Sequence, residues 1–209
     1  MLKYKALDEL CRETRARAAS CEDNARFFSD GFKRVREILA LCRFAKLYRD
    51  EGFKPDLKFV DNADDSQQVP DFALFSSESD RRPALEVEVA EIMEPERRRH
   101  DEYRSGDRSG ETARDNPAPG SGYMEDLVRH VSCELEKKLA KAYPSGTRLL
   151  VYFQPDKFIY WLMDGEDRET IDRIFKRALT GKTSNGISEI WVLPNPTASY
   201  LLKFQVPQV

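Results

Sequence analysis

Three acids, Asp71, Glu86 and Glu88, have the types and the spacing for chemistry on one small patch of this chain. Asp71 lies in the apolar stretch Val69-Pro70-Asp71-Phe72-Ala73-Leu74-Phe75, and the two glutamates lie in a second arm, Ala84 to Ile92. Between the arms runs a polar stretch, Ser76 to Pro83, rich in Ser, Asp and Arg. Two apolar or alternating arms around such a turn read as a β-hairpin. In a symmetric hairpin Phe75 faces Ala84 and Asp71 faces Glu88, and residues directly opposite have Cβ atoms about 4.5–5.5 Å apart. Glu86, two residues from Glu88, shares its face. Three carboxylates so close repel one another unless a positive charge sits among them, and a divalent metal is the usual one. The plainer alternative makes Glu86 and Glu88 the solvated face of an alternating strand, with Leu85, Val87 and Val89 inward, and Asp71 a turn residue after Pro70. Against it, a strand in the middle of a sheet is covered on both faces, and paired acids there need a purpose.

The remaining elements must position that hairpin. Residues 2–19 carry Leu2, Leu7 and Leu10 among charges and read as an amphipathic helix, an extension over residues 1–23 ahead of a single domain over 24–209. From Asn24 or Ser29 to Tyr48, the residues Phe28, Phe32, Val35, Leu39 and Cys42 recur at helical intervals. Gly52 and Pro55 stop that helix. Leu57–Val60 predicts a short strand, followed by the hairpin. Ser105–Gly122 has almost nothing apolar and predicts a long mobile loop near 104–122. Leu127, Val131, Leu135 and Leu139 fall every four residues in a helix over Tyr123–Tyr143. Arg148–Phe153 predicts a buried strand, Glu166–Leu179 an amphipathic helix, and Ile187–Leu193 and Tyr200–Val206 the last strands. This order describes an α/β protein: a mixed sheet flanked by helices, antiparallel in its three-strand meander and parallel where a helix intervenes.

The order and these residues resemble the PD-(D/E)XK nuclease superfamily, the restriction endonuclease-like proteins. Pro70-Asp71 matches the Pro-Asp that opens one strand, and Glu86-Val87-Glu88 matches the acid-x-Lys of the next, with Glu in the Lys position. The resemblance implies a helix, a three-strand meander, a helix and a strand as the core, spanning roughly Ser29 to Leu193. It implies a Mg²⁺ or Mn²⁺ ion on Asp71 and Glu86, Glu88 as base or as ligand of an outer water, and a further acid from the upstream helix, Glu37 or its rival Glu51. Hard cations prefer carboxylate oxygens, and such an ion both activates water and stabilises charge on a phosphate. The role of the missing lysine would pass to Lys137, Lys138 or Lys141 on the next helix, or be absent, leaving a scaffold that binds nucleic acid or protein without cutting it. The implied partner is nucleic acid, DNA first, and cutting both strands with one site per chain would call for a homodimer.

Arg97, Arg98 and Arg99 follow the acidic strand and could clamp backbone phosphates, since guanidinium forks match phosphate oxygens. Interleaved Glu94, Glu96, Asp101 and Glu102 equally describe a solvated charged loop. Lys137, Lys138 and Lys141 stand mostly off the apolar stripe of their helix, where a solvated face is the ordinary role. A net charge of −3 over 209 residues gives no global attraction for nucleic acid, so a phosphate-binding surface must be local. Cys11, Cys21, Cys42 and Cys133 show no paired spacing, which argues against a zinc site and a disulfide framework alike. His100 and His130 stand alone. With neither a long apolar run nor a signal-like amino terminus, a cytoplasmic protein is expected.

Overall fold

Alternation in the hairpin arms and four-residue spacing in the helices together build one sheet with helices on both faces. The computed structural model describes residues 5–21, 32–50, 58–61, 70–75, 82–93, 122–154, 167–194 and 199–209. Among these, the sheet has seven strands in sequential order: β1 (Lys5–Ala6), β2 (Lys58–Asp61), β3 (Phe72–Phe75), β4 (Leu85–Met93), β5 (Thr147–Gln154), β6 (Ile187–Leu193) and β7 (Leu202–Gln205). The helices are α1 (Leu7–Ala19), α2 (Lys33–Asp50), α3 (Tyr123–Leu139) and α4 (Asp167–Leu179). Strands β1 to β4 pair antiparallel. Strands β4, β5 and β6 run parallel through the α3 and α4 crossovers, and β7 returns antiparallel. The fold is thus the expected α/β class, compatible with a restriction endonuclease-like core.

The core is split by the sheet. On one face α1 and α2 pack against Phe72, Leu74, Leu85, Val87, Val89 and Leu150. On the other, α3 and α4 pack against Ala90, Ile92, Leu149, Val151, Phe153 and Ile190. Alternation along β4 therefore sends odd-numbered residues to α2 and even-numbered ones to α3. The α3 stripe, Leu127, Val131, Leu135 and Leu139, is fully buried, as its spacing predicts. Each such leucine contributes about 1.5–3 kcal/mol by burial. In α4 the buried set is Ile171, Ile174, Phe175 and Ala178, with the Phe175 ring 5.4 Å from that of Phe153.

Three expectations are corrected. The helix expected as an N-terminal extension packs onto the rest of the chain: Leu7, Leu10 and Cys11 sit in the core, and β1 adds to the sheet beside β2. Of the expected helical stripe, Phe32, Val35 and Cys42 are buried, Leu39 is only partly covered and Phe28 lies outside the described residues; α2 also buries Ile38, Leu41, Phe44 and Ala45, because it packs under both α1 and the sheet on a wider face than a single stripe. Finally, Cys11 and Cys42 form a disulfide joining α1 to α2. Their separation of 31 residues carried no sign of the helix pairing that brings them together. No helix among the described residues is long and apolar enough to cross a membrane.

Candidate carboxylate–lysine site

The β3–β4 register decides which acids meet. Phe72 pairs with Val87, Ala73 with Glu86 and Leu74 with Leu85. One step further along the same register, Asp71 stands level with Glu88. Asp71 lies just before β3, and its Oδ2 accepts a hydrogen bond of 2.8 Å from the Val89 N–H of β4. The aspartate is thereby fixed to the neighbouring backbone. Glu88 is buried, at 5% exposed, on the face covered by α3.

Helix α3 brings a lysine to this pair. Lys138 follows Leu135 by three residues, so its stem starts beside the buried stripe and its ammonium reaches the sheet. Its Nζ lies 2.5 Å from Glu88 Oε1 and 3.3 Å from the Val89 carbonyl oxygen. Helix α2 closes the opposite side. Arg34 donates from Nη1 to Glu37 Oε2 at 3.0 Å and to Asp71 Oδ1 at 3.3 Å, and from Nη2 to the Asp71 carbonyl at 2.9 Å. Its guanidinium also stacks 3.9 Å from the Phe72 ring centre. Glu37 is buried, and Lys33, largely exposed, stands 3.7 Å from its other oxygen.

Electrostatics mark Asp71 as the strained member. Burial, then the Glu88 charge and further the Glu37 charge, raise its pKa from 3.8 to about 6, against the opposing pull of the Val89 N–H and Arg34. Tyr143, in the turn after α3, belongs to the same neighbourhood. Burial first, then the facing Glu88 and the Asp71 charge, push its phenol well above the ordinary range, so it stays protonated.

The sequence-derived candidates thus separate. Asp71, Glu88, Glu37 and Lys138 come together. Glu86 does not join them: it stands level with Ala73, half-buried, and burial alone raises its pKa. Lys137 pairs with Glu134 on its own helix at 2.6 Å, and Lys141 is exposed beyond the end of α3. Arg97, Arg98, Arg99 and Glu51 lie outside the described residues, as does nearly all of the loop expected near 104–122. Arg34 and Tyr143 were not singled out from sequence. The three-residue spacing of Arg34 and Glu37 was a visible helix pair, but its reach to Asp71 was not.

The donor chemistry fits a hard divalent cation: carboxylate oxygens from two strands and a helix, with repulsion at Asp71 that such an ion would relieve. As the side chains stand, no three acids among the described residues converge closely enough to cage one. Arg34 would have to leave Asp71 to admit it. A separate open cleft of about 570 Å³, lined by Arg168, Asp172, Trp191 and Lys203 among others, shares none of these residues.

Comparison with known proteins gives no match, whether to a family model, a curated sequence or a solved structure.

Proposed function

We propose that the protein is a metal-dependent nuclease that hydrolyses phosphodiester bonds, DNA first, as a restriction endonuclease-like enzyme. The observation that carries this reading is Lys138, delivered from α3 onto Glu88 beside Asp71. It supplies from a helix the cation that the strand motif lacks. A Mg²⁺ or Mn²⁺ ion held through Asp71 and Glu88, with Glu37 behind and Glu86 a dipeptide along the strand, would polarise the scissile phosphate and acidify a water. With Glu88 as the base, its carboxylate would take a proton from the attacking water, whose oxygen would bond to phosphorus as the bond to the leaving ester oxygen breaks and that oxygen takes a proton from solvent. Lys138 and Arg34, released from their acids, are the described cations available to the phosphate; Arg97, Arg98 and Arg99 would extend that surface. A homodimer would allow both strands to be cut. In the cytoplasmic setting that suits this substrate, the Cys11–Cys42 bond would persist only if shielded from reductants, and both cysteines are buried.

The test is nicking of supercoiled plasmid with and without Mg²⁺. Asp71→Ala, Glu88→Gln and Lys138→Met should each abolish a metal-dependent activity that the unaltered chain displays. Unchanged nicking in Asp71→Ala and Glu88→Gln would end the proposal.

A second reading is a silent scaffold that binds nucleic acid or a protein partner. It is favoured by one observation: Asp71 and Glu88 each already hold a cation from their own chain. It expects a mobility shift without cleavage, and no thermal stabilisation by Mg²⁺ or Mn²⁺.

A further inference from the structure

Among the described residues β7 is the last strand of the sheet, so its outer side has no strand beside it. The register with β6 decides which backbone groups face that side. Val206 N–H donates to the Ser188 carbonyl at 3.0 Å, one step beyond the pair Glu189 and Gln205. Hydrogen-bonded pairs alternate in an antiparallel ladder, so Phe204 and Leu202 also turn their N–H and C=O groups to β6. Lys203 and Gln205 turn theirs outward.

Neither exposed side chain of the strand guards that edge. Edge strands are often blunted by a lysine. Here Lys203 Nζ is drawn back onto Glu189 Oε1 at 2.8 Å, 4.8 Å from the centre of the Trp191 ring, and Gln205 Nε2 donates to the same oxygen at 3.0 Å. Space lies beside the edge as well. Leu201 belongs to the α2-side core and Leu202 to the α4-side core, yet both line the cleft of about 570 Å³, together with Lys203 and Arg168. A cleft reached from both faces opens at the edge of the sheet.

The strand is also complementary to itself. Antiparallel pairing about a two-fold axis at Phe204 sets Lys203 opposite the partner's Gln205, where each residue exchanges both outward backbone groups with the other. No like charges then face each other. On the α4 side Phe204 meets the partner's Phe204, and Leu202 the partner's Val206, so the apolar row continues from one sheet into the next. The neighbouring registers are worse. An axis at Lys203 sets that lysine against the partner's Lys203, and an axis at Gln205 sets Lys203 against the partner's Pro207, which has no N–H to give. A slip by a single residue matches outward groups with inward ones.

We propose that the outer edge of β7 is an interface for a second copy of this chain, the two sheets joining antiparallel with Lys203 opposite the partner's Gln205. The inference stands apart from the nuclease reading, because it names how two copies meet and not what they act on. So short an edge buries less than a standard interface, and the dimer is accordingly reversible.

Sedimentation velocity of the full chain over a concentration series is the first measurement, and the expected result is a monomer–dimer equilibrium. Gln205→Pro removes an outward N–H that the monomer does not use. Gln205→Lys keeps a donor for Glu189 but sets lysine against lysine across the interface. Each should raise the dimer Kd about tenfold or more, since the two-fold axis applies every change twice. High salt should recover part of the Gln205→Lys loss and none of the Gln205→Pro loss. The register is read by mixing Lys203→Cys and Gln205→Cys proteins in oxidised glutathione, both in a Cys21→Ser/Cys133→Ser background. The mixture should form covalent dimers faster than either protein alone, because directly opposite Cα atoms lie within disulfide reach and diagonal ones do not. A chain that stays monomeric throughout the series would overturn the inference. A dimer indifferent to both Gln205 variants, or a mixture that cross-links no faster than its components, would place the contact elsewhere and overturn it too.

Discussion

Lys138 and Glu88, fifty residues apart in the chain, meet with Nζ 2.5 Å from Oε1 where α3 crosses β4. The glutamate side chain is 7% exposed and the lysine 26%, so the pair is shielded from water on the carboxylate side. Removing one partner strands the other. Lys138→Met should therefore destabilise the fold by about 2 kcal/mol, less than a fully buried pair because the lysine keeps some solvent. Glu88→Gln should cost less, since its amide can still accept from Lys138. The double change Lys138→Met/Glu88→Leu should recover most of the loss, because an apolar pair of similar volume carries no desolvation penalty. Urea unfolding of the four proteins measures this directly, and a double variant no better than Lys138→Met would show that the pair does not act as a unit.

Asp71 sets an opposite pH signature. Its folded pKa, about 6, lies above the ordinary 3.8, so the folded state binds the proton more tightly than the unfolded one. Its contribution is therefore favourable below about pH 4 and is lost as pH rises through 6. The two values differ by enough for an effect on the order of 2–3 kcal/mol between those limits. Asp71→Asn keeps an oxygen for the Val89 N–H and removes the titration. The variant should be at least as stable as the parent at pH 7, and its stability should not decline between pH 4 and 6 as the parent's does. Stability by denaturant titration across that range is the check. A parent curve flat from pH 4 to 6 would contradict the cluster's electrostatics.

Much of this was readable from residue order, and the parts that were not share a cause. Asp71 opposite Glu88 followed from hairpin symmetry, and the side-chain period of a strand excludes any one-residue slip, which would turn Phe72, Leu74 and Val87 out of the core. The α3 stripe followed from four-residue spacing. Lys138 was one of three lysines on the right helix, and only the crossing of α3 over β4 selects it. Arg34 and Tyr143 lie near these acids only through elements distant in sequence, so no local pattern marks them. Cys11 and Cys42 reveal nothing until α1 and α2 are packed side by side, and a two-residue strand such as β1 is too short to show a period.

That disulfide has a measurable consequence. Closing a loop between residues 31 apart removes chain entropy from the unfolded state, about 3–4 kcal/mol by the loop-closure relation. Cys11→Ala/Cys42→Ala, or reduction with a strong thiol, should lower the Tm by several degrees. Thiol titration under denaturing conditions should find two free cysteines before reduction, Cys21 and Cys133, and four after. Four free thiols in the oxidised protein would show that the bond does not form.

Glu189 gives the acid limb of the stability profile. It accepts from Lys203 at 2.8 Å, Gln205 at 3.0 Å, Arg148 at 2.9 Å and the Trp191 indole at 3.1 Å, tying β5, β6 and β7 together. Burial opposes its ionised form, yet these donors hold the carboxyl at about 2, below the ordinary 4.5. A depressed acid stabilises above its unfolded pKa and loses that contribution as pH falls, here between about 4.5 and 2. Glu189→Gln should lower the Tm by a few degrees at pH 7 and narrow its gap to the parent toward pH 2. Thermal scans at pH 7, 4 and 2.5 would show the convergence.

Gly186 makes the last test, because its constraint is steric and its effect reaches the site. At φ +120° any side chain is strained, and a Cβ would lie 2.2 Å from the Tyr143 carbonyl oxygen and 2.7 Å from its carbonyl carbon. Backbone is the obstacle, so no rotamer change relieves the clash. Gly186→Ala should cost at least about 2 kcal/mol, strain and displacement together. Gly146→Ala, also at positive φ but with nothing within 4 Å of the added carbon, isolates the strain alone and should cost about 1 kcal/mol. The difference between the two variants in denaturant unfolding measures the close approach of β6 to the Tyr143 turn. Equal losses would mean that the turn yields freely and that the close approach itself costs nothing.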